Sequence, residues 1–318
     1  MCLKDVRHTA ANDMVATTTS VQFLDKSKNR ADMKEDLMDT LTVLNFSGHD
    51  ISPLAQERIS RDITVCPNGE QVEVVDLSRN LDMNNLETDV IDLLKKVPVP
   101  VGDWPGHSVV ALPNSVGPAV CLATGILGVK GDFPTVMWTE LDKTTKRYDI
   151  PHFTDLQKWV RRLKTAPFNN DQTGPKRPTQ LAPSGKPRVL VLKYLTHDIT
   201  SCVDSIEVCV DEYVNIVDLS QKRDLNLSKI KKEAIDLIRS AGLTKSQWTT
   251  EQPIVVFPEP AIAAVHVLAG IFGYTRKLPR MLWIGLDKES KYQVPHFTIL
   301  QDLRYTARGE RASVSKKP

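Results

Sequence analysis

The chain is written twice, and no other feature constrains its fold as much. Val74-Val75-Asp76-Leu77-Ser78 returns as Ile216-Val217-Asp218-Leu219-Ser220, and Leu141-Asp142-Lys143 as Leu286-Asp287-Lys288. Pro151-His152-Phe153-Thr154, followed by Leu156-Gln157, returns as Pro295-His296-Phe297-Thr298, followed by Leu300-Gln301. His49-Asp50-Ile51 returns as His197-Asp198-Ile199. The offsets lie between 142 and 148, so the copies are collinear with small insertions. A repeat of this length is a whole domain rather than a solenoid unit. Copy one covers 41–164 and copy two 188–308. Between them, 165–187 holds five Pro and two Gly without apolar periodicity, the composition of a linker. Extended, it would reach ~70 Å, enough to set the copies side by side as an intramolecular pseudo-dimer. Residues 1–40 are expected to be poorly ordered, and 309–318 to be a basic disordered tail.

Each copy alternates strand and helix signals. In copy one, strands are expected at 41–46, 72–75, 108–112, 135–140 and 147–150. Leu86, Val90, Leu93, Leu94 and Val97 form an amphipathic helical stripe, with Asn84 or Asn85 as cap. Further helices are expected over 53–60, over 118–127 with Gly128 as stop, and from Phe153, where Thr154 and Gln157 suggest a capping box. This alternation predicts an α/β fold: two tandem Rossmann-like, three-layer α/β/α domains, each around a parallel sheet covered on both faces.

Composition narrows the function classes. The 41 Lys+Arg against 39 Asp+Glu give a net charge of +2, not the profile of a protein that coats long nucleic acid, so no DNA partner is expected. The 5 cysteines form no CxxC pair, which excludes a zinc ribbon and argues against a disulfide framework. The apolar runs 117–129 and 260–274 are shorter than the ~20 residues of a membrane span. With no apolar leader at the start, a cytoplasmic protein without a membrane partner is expected. No spacing suits a metal or a P-loop, and no cofactor is expected.

In such sheets ligands bind beyond the carboxyl ends of the strands. Two loops fit. Asn45-Phe46-Ser47-Gly48-His49 offers an amide, a hydroxyl, a Gly-permitted amide N–H and an imidazole able to act as general acid or base. Asn114-Ser115-Val116-Gly117 leaves the third strand and opens a helix, whose first amides carry positive potential. Each also reads as a plain turn or cap. His152 and His296 read as residues at a helix start. Copy two carries Lys193-Tyr194-Leu195-Thr196-His197 in place of the first loop, and Glu259-Pro260 in place of Asn114-Ser115. A carboxylate there would repel a phosphate, which Lys193 could offset.

Leu44-Asn45-Phe46-Ser47-Gly48-His49, Gly131-Asp132-Phe133-Pro134 and the Leu156-Gln157 and Leu300-Gln301 helices together resemble a small CRISPR-associated family, the fifteenth of the Csx series, here as a tandem fusion. The resemblance covers about 240 residues and omits the ends and the linker. It implies binding of cyclic oligoadenylate, the second messenger of type III CRISPR signalling, as the partner. It also implies metal-independent ring cleavage, with His49 and Ser47 catalytic. Asn45, Phe46, Gly48, Asn114, Ser115, Gly117, Lys193, Thr196 and His197 would hold the ligand. A non-catalytic sponge or sensor, and an unrelated tandem nucleotide-binding or scaffold protein, stay open beside it, as does self-association beyond the fused pair.

Overall fold

The structure, a computed structural model, describes residues 40–314 apart from 63–64, 67–70, 98–107, 145, 166–187, 197–198, 200–201, 211–212, 221–224 and 287–292. The first 39 residues, nearly all of the linker and residues 315–318 thus lie outside the described residues. Residues 39–318 form one compact unit.

Copy one runs β1 (Thr40–Asn45), α1 (Pro53–Ser60), β2 (Gln71–Asp76), α2 (Leu86–Lys95), β3 (Ser108–Ala111), α3 (Val116–Lys130), β4 (Thr135–Asp142), β5 (Arg147–Asp155) and α4 (Leu156–Thr165). Copy two repeats the order: β6 (Arg188–Lys193), α5 (Val203–Val210), β7 (Tyr213–Asp218), α6 (Ile230–Ser240), a short added α7 (Lys245–Thr250), β8 (Ile254–Val256), α8 (Ala261–Thr275), β9 (Arg280–Leu286), β10 (Gln293–Ile299) and α9 (Leu300–Val314). The sheets have equivalent orders, β2-β1-β3-β4-β5 and β10-β9-β8-β6-β7. They are α/β sheets compatible with two Rossmann-like domains.

The sheets are mixed rather than parallel. β5 and β10 run antiparallel to β4 and β9. In copy one only four residues, 143–146, connect them, too few for the crossover that a parallel neighbour needs. The last strand also takes residues expected in the last helix. Phe153 and Thr154 pair with Met137 and Val136, and α4 starts at Leu156. Thr154 forms no capping box. Asp155 accepts from the Lys158 amide at 2.7 Å, while the Gln157 amide oxygen accepts from the Phe133 N–H at 3.1 Å. Similarly, Gly128 does not stop α3, which ends at Gly131 with φ 89°. Asn85 caps α2 by position only, its side chain donating to Asp82 instead. Residues 309–314 continue α9 rather than forming a tail.

Strand alternation sends residues to two layers. Leu41 and Val43 face α1 with Ile59, and Leu44 and Val110 face the opposite side with α2 and α3. The last helices then cross over: α4 packs on α8 of copy two, and α9 packs on α3 of copy one, with α3 against α8 between them. This explains why α3 and α8 are apolar all round. Every residue of 117–129 is buried. One core therefore spans both copies and holds Trp159 and Leu163 together with Phe272 and Leu303. No helix among the described residues is long and apolar enough to cross a membrane.

Candidate functional site

The carboxyl ends of β1 and β3 end in the two loops singled out above. At β1 the backbone fixes the exit: the Phe46 amide donates to the Ala111 carbonyl at 2.9 Å, and the Leu77 amide to the Asn45 carbonyl at 2.8 Å. The loop then braces itself. Asn45, 2% exposed, accepts from the Ser47 amide at 3.1 Å and the Ser47 hydroxyl at 2.7 Å, and donates from Nδ2 to the His49 carbonyl at 2.8 Å. The His49 amide donates to Ser47 Oγ at 3.2 Å. Gly48 takes φ 77°, the left-handed turn that suits a residue without a Cβ. The result is a rigid turn that leaves the His49 side chain exposed.

This loop forms one wall of a cavity of about 750 Å³, within the range of small-ligand sites. Ser47, His49 and Asp50 line it from β1, and Pro113 and Asn114 from β3. Trp138 lines it from β4, and Lys146 to Asp149 from the β4–β5 hairpin. Copy two closes the cavity with Leu227 and the first turn of α8, Pro260 to Ile262. The site is therefore composite. Its hairpin wall is clamped from behind. Ser52 Oγ donates to the buried Asp149 carboxylate at 2.5 Å while also capping α1, and Arg58 donates to the Asp149 carbonyl at 3.0 Å and to Asp142 Oδ2 at 3.0 Å. The Trp138 indole N–H is buried and finds no acceptor among the described residues.

Of the residues proposed from sequence, Ser47, His49 and Asn114 come together in this cavity. Asn45 and Gly48 shape its wall from behind. Phe46 turns into the shared core. Ser115 caps α3 by position without a side-chain bond, and Gly117 lies under Trp283, where a Cβ would approach the indole to 3.0 Å. In copy two, Lys193 is buried, with Nζ 2.8 Å from Asp218 Oδ2, so its charge is committed to that pair. Burial alone would push the Asp218 carboxyl up, but the hydrogen bonds from Lys193 and Ser220 outweigh it and hold it below the ordinary range. Thr196 is exposed, and His197 lies outside the described residues.

His152 and His296 are strand residues, not helix-start residues. Each stacks on the tryptophan opposite it, His152 on Trp138 at 5.4 Å and His296 on Trp283 at 4.1 Å between ring centres. His152 also pairs with Glu140 at 2.9 Å, and burial pushes the His296 imidazole below its ordinary value. The repeated Val-Val-Asp-Leu-Ser motif is a strand-end turn: Asp76 accepts from the Ser78 amide, and Asp218 from that of Ser220. Sequence reasoning missed Trp138 and the hairpin residues. Trp138 had a signal, since Trp283 returns at the same repeat position. Among the described residues no cluster of His, Cys, Asp or Glu could hold a metal ion.

No family model matches the chain, and no curated protein matches it.

Proposed function

We propose that the chain binds cyclic oligoadenylate in the composite cavity and opens the ring there. The observation that carries this reading is the meeting of His49, Ser47 and Asn114 at the carboxyl edge of one α/β sheet, beside cationic hairpin residues. The resemblance to the fifteenth Csx family gives the ligand class. In this reading the two copies act as a fused pseudo-dimer in the cytoplasm. The reciprocal packing of α4 on α8 and α9 on α3 supports the pairing of the copies, as does the first turn of α8 closing the site of the other copy.

The chemistry needs only in-line geometry and proton transfer. The ribose 2′-oxygen attacks the adjacent phosphorus, the bond from phosphorus to the 5′-oxygen breaks, and a 2′,3′-cyclic phosphate forms. The 2′-hydroxyl proton leaves to a base, and the departing 5′-oxygen takes one up. His49, exposed at the cavity, fills one of these roles.

A second reading, a sponge that binds without cleaving, is favoured by one specific feature. The Ser47 hydroxyl donates to Asn45 Oδ1 at 2.7 Å, so its single donor is spent within the loop rather than offered to a phosphate. Incubation with cyclic tri-, tetra- and hexa-adenylate in EDTA, read by gel shift and product chromatography, separates the readings. Ring opening that His49→Ala slows by ~10²–10⁴ supports the nuclease. Binding with the ring recovered intact supports the sponge. No binding to any ring overturns both.

A further inference from the structure

The β4–β5 turn holds a cavity residue in a backbone conformation its type does not favour. Lys146 has φ 58°, the left-handed region, where a Cβ meets the neighbouring carbonyl and a glycine would not. The conformation is imposed by its surroundings. The Lys146 amide donates to the Asp142 carbonyl at 2.8 Å, the Thr144 amide to the Asp142 carboxylate at 2.9 Å, and Arg58 holds that carboxylate from the other side at 3.0 Å. The turn would thus form more easily with glycine, and its geometry does not account for a long cationic side chain. Lys146 lines the cavity, and its side chain makes no ion pair with any described residue. A lysine also stands at the same repeat position of copy two, Lys291, although the two residues before it differ, Thr144-Thr145 against Glu289-Ser290. Backbone strain that the surroundings enforce is found where a side chain serves function.

We propose that Lys146 is the cation through which the cavity grips a phosphate of its nucleotide ligand, with Arg147 beside it on the same wall. This rests on the reading of the cavity as a nucleotide site. The wall also carries acidic residues, whose charge such a cation offsets. Asp50 and Asp149 also line the cavity, and although Asp149 accepts from Ser52, Asp50 opposes an anionic ligand. A point charge on a flexible stem suits one phosphate among several positions along a ring.

Calorimetric titration of cyclic tetra-adenylate into wild type, Lys146→Gln, Lys146→Arg and Lys146→Gly tests the assignment. Lys146→Gln should weaken binding ~10-fold with an unchanged Tm, and Lys146→Arg should stay within a few-fold of wild type. Lys146→Gly should weaken binding as much as glutamine does while raising Tm, because the turn strain is relieved. Binding by the Gln and Gly variants equal to wild type overturns the assignment and leaves the site reading intact. Should wild type bind no ring, the same variants are titrated with inorganic pyrophosphate. Saturable binding lost in Lys146→Gln upholds Lys146 while the ring reading falls. Binding that the variant leaves unchanged, or none in wild type, overturns Lys146 as well.

Discussion

The two copies share a backbone and differ in what they place on it. At the first strand end, both make the same bonds: Phe46 to Ala111 and Tyr194 to Val256, each 2.9 Å, and Leu77 to Asn45 and Leu219 to Lys193, each 2.8 Å. Yet a neutral Asn45 that knits a turn together in copy one is a buried, ion-paired Lys193 in copy two. The sixth residue of the central helix is Cys121 in α3 and His266 in α8. Thirteen residues into the same helices both copies have glycine, Gly128 and Gly273, but their neighbours stand at different distances. Backbone hydrogen bonds and helix contacts fix the fold, so the side chains between them can differ, lining a cavity in one copy and forming a buried ion pair in the other.

The largest expected effect comes from the Cys121–His266 difference. His266 is fully buried, with Nδ1 2.7 Å from the Ile262 carbonyl, Nε2 without a partner among the described residues, and the Trp138 and Trp159 rings against it. Burial pushes its pKa down to about 4, with the Lys231 charge adding to the shift and the Ile262 carbonyl opposing it. An unfolded histidine titrates near 6.5. Between pH 6.5 and 4 the unfolded chain therefore binds a proton that the folded chain refuses, so stability falls as pH drops through that window, by about 3 kcal/mol in total. Cys121 shows no such behaviour: burial, and then the nearby Glu87, push its thiol further up, and it stays neutral throughout. Urea unfolding of wild type and His266→Cys at pH 7.5 and pH 4 checks this. The variant should lose less stability than wild type on acidification, and equal losses would remove His266 as the cause.

A smaller effect separates the strand-end aspartates. Asp218 is the partner of a Lys193 side chain only 5% exposed, whereas Asp76, across from Asn45, holds the Ser78 amide. Asp218→Ala leaves a buried cation unpaired and should cost about 2 kcal/mol, reduced from the fully buried case because Asp218 itself is open to solvent. Asp76→Ala loses only a turn bond, about 1 kcal/mol. Denaturant midpoints for the two variants measure the difference directly, and equal costs would mean that the Lys193 pair contributes nothing.

These contrasts bear on what the sequence made legible. The strand and helix order, and the placing of Ser47, His49 and Asn114 on strand-end loops that line one cavity, follow from local patterning, because turn chemistry and apolar period are local. The misplacements share one cause. Pro151-His152-Phe153-Thr154 has the local look of a helix start, but pairing with β4 draws it into a strand. Gly309 looks like a break, but α9 runs through it, with Ala307 of the same helix seated on α3 at Gly128. The hairpin wall and the first turn of α8 reach the cavity only once the sheets are assembled, so Ile262 carried no signal in sequence and Lys146 only its return as Lys291 in copy two. Tertiary contacts, rather than propensity, decided each of these.

The central-helix glycines test that point most finely. Both sit mid-helix, where alanine would otherwise gain about 0.5–1 kcal/mol by reducing unfolded-state freedom. At Gly128 an added Cβ would lie 2.5 Å from the Arg304 carbonyl oxygen and 2.7 Å from the Ala307 Cβ. Neither can rotate aside, so α9 must move off α3. At Gly273 the nearest atoms are Leu163 Cβ at 3.1 Å and the Val160 carbonyl oxygen at 3.2 Å, an approach that a few tenths of an ångström relieves. Gly128→Ala should therefore cost about 1–2 kcal/mol net of the helix gain, and Gly273→Ala should lie within about 0.5 kcal/mol of wild type. Thermal unfolding of the two single variants decides it. A Gly273→Ala cost as large as that of Gly128→Ala would mean that the two crossed helices are gripped equally, and that the divergence of the copies stops at the strand ends.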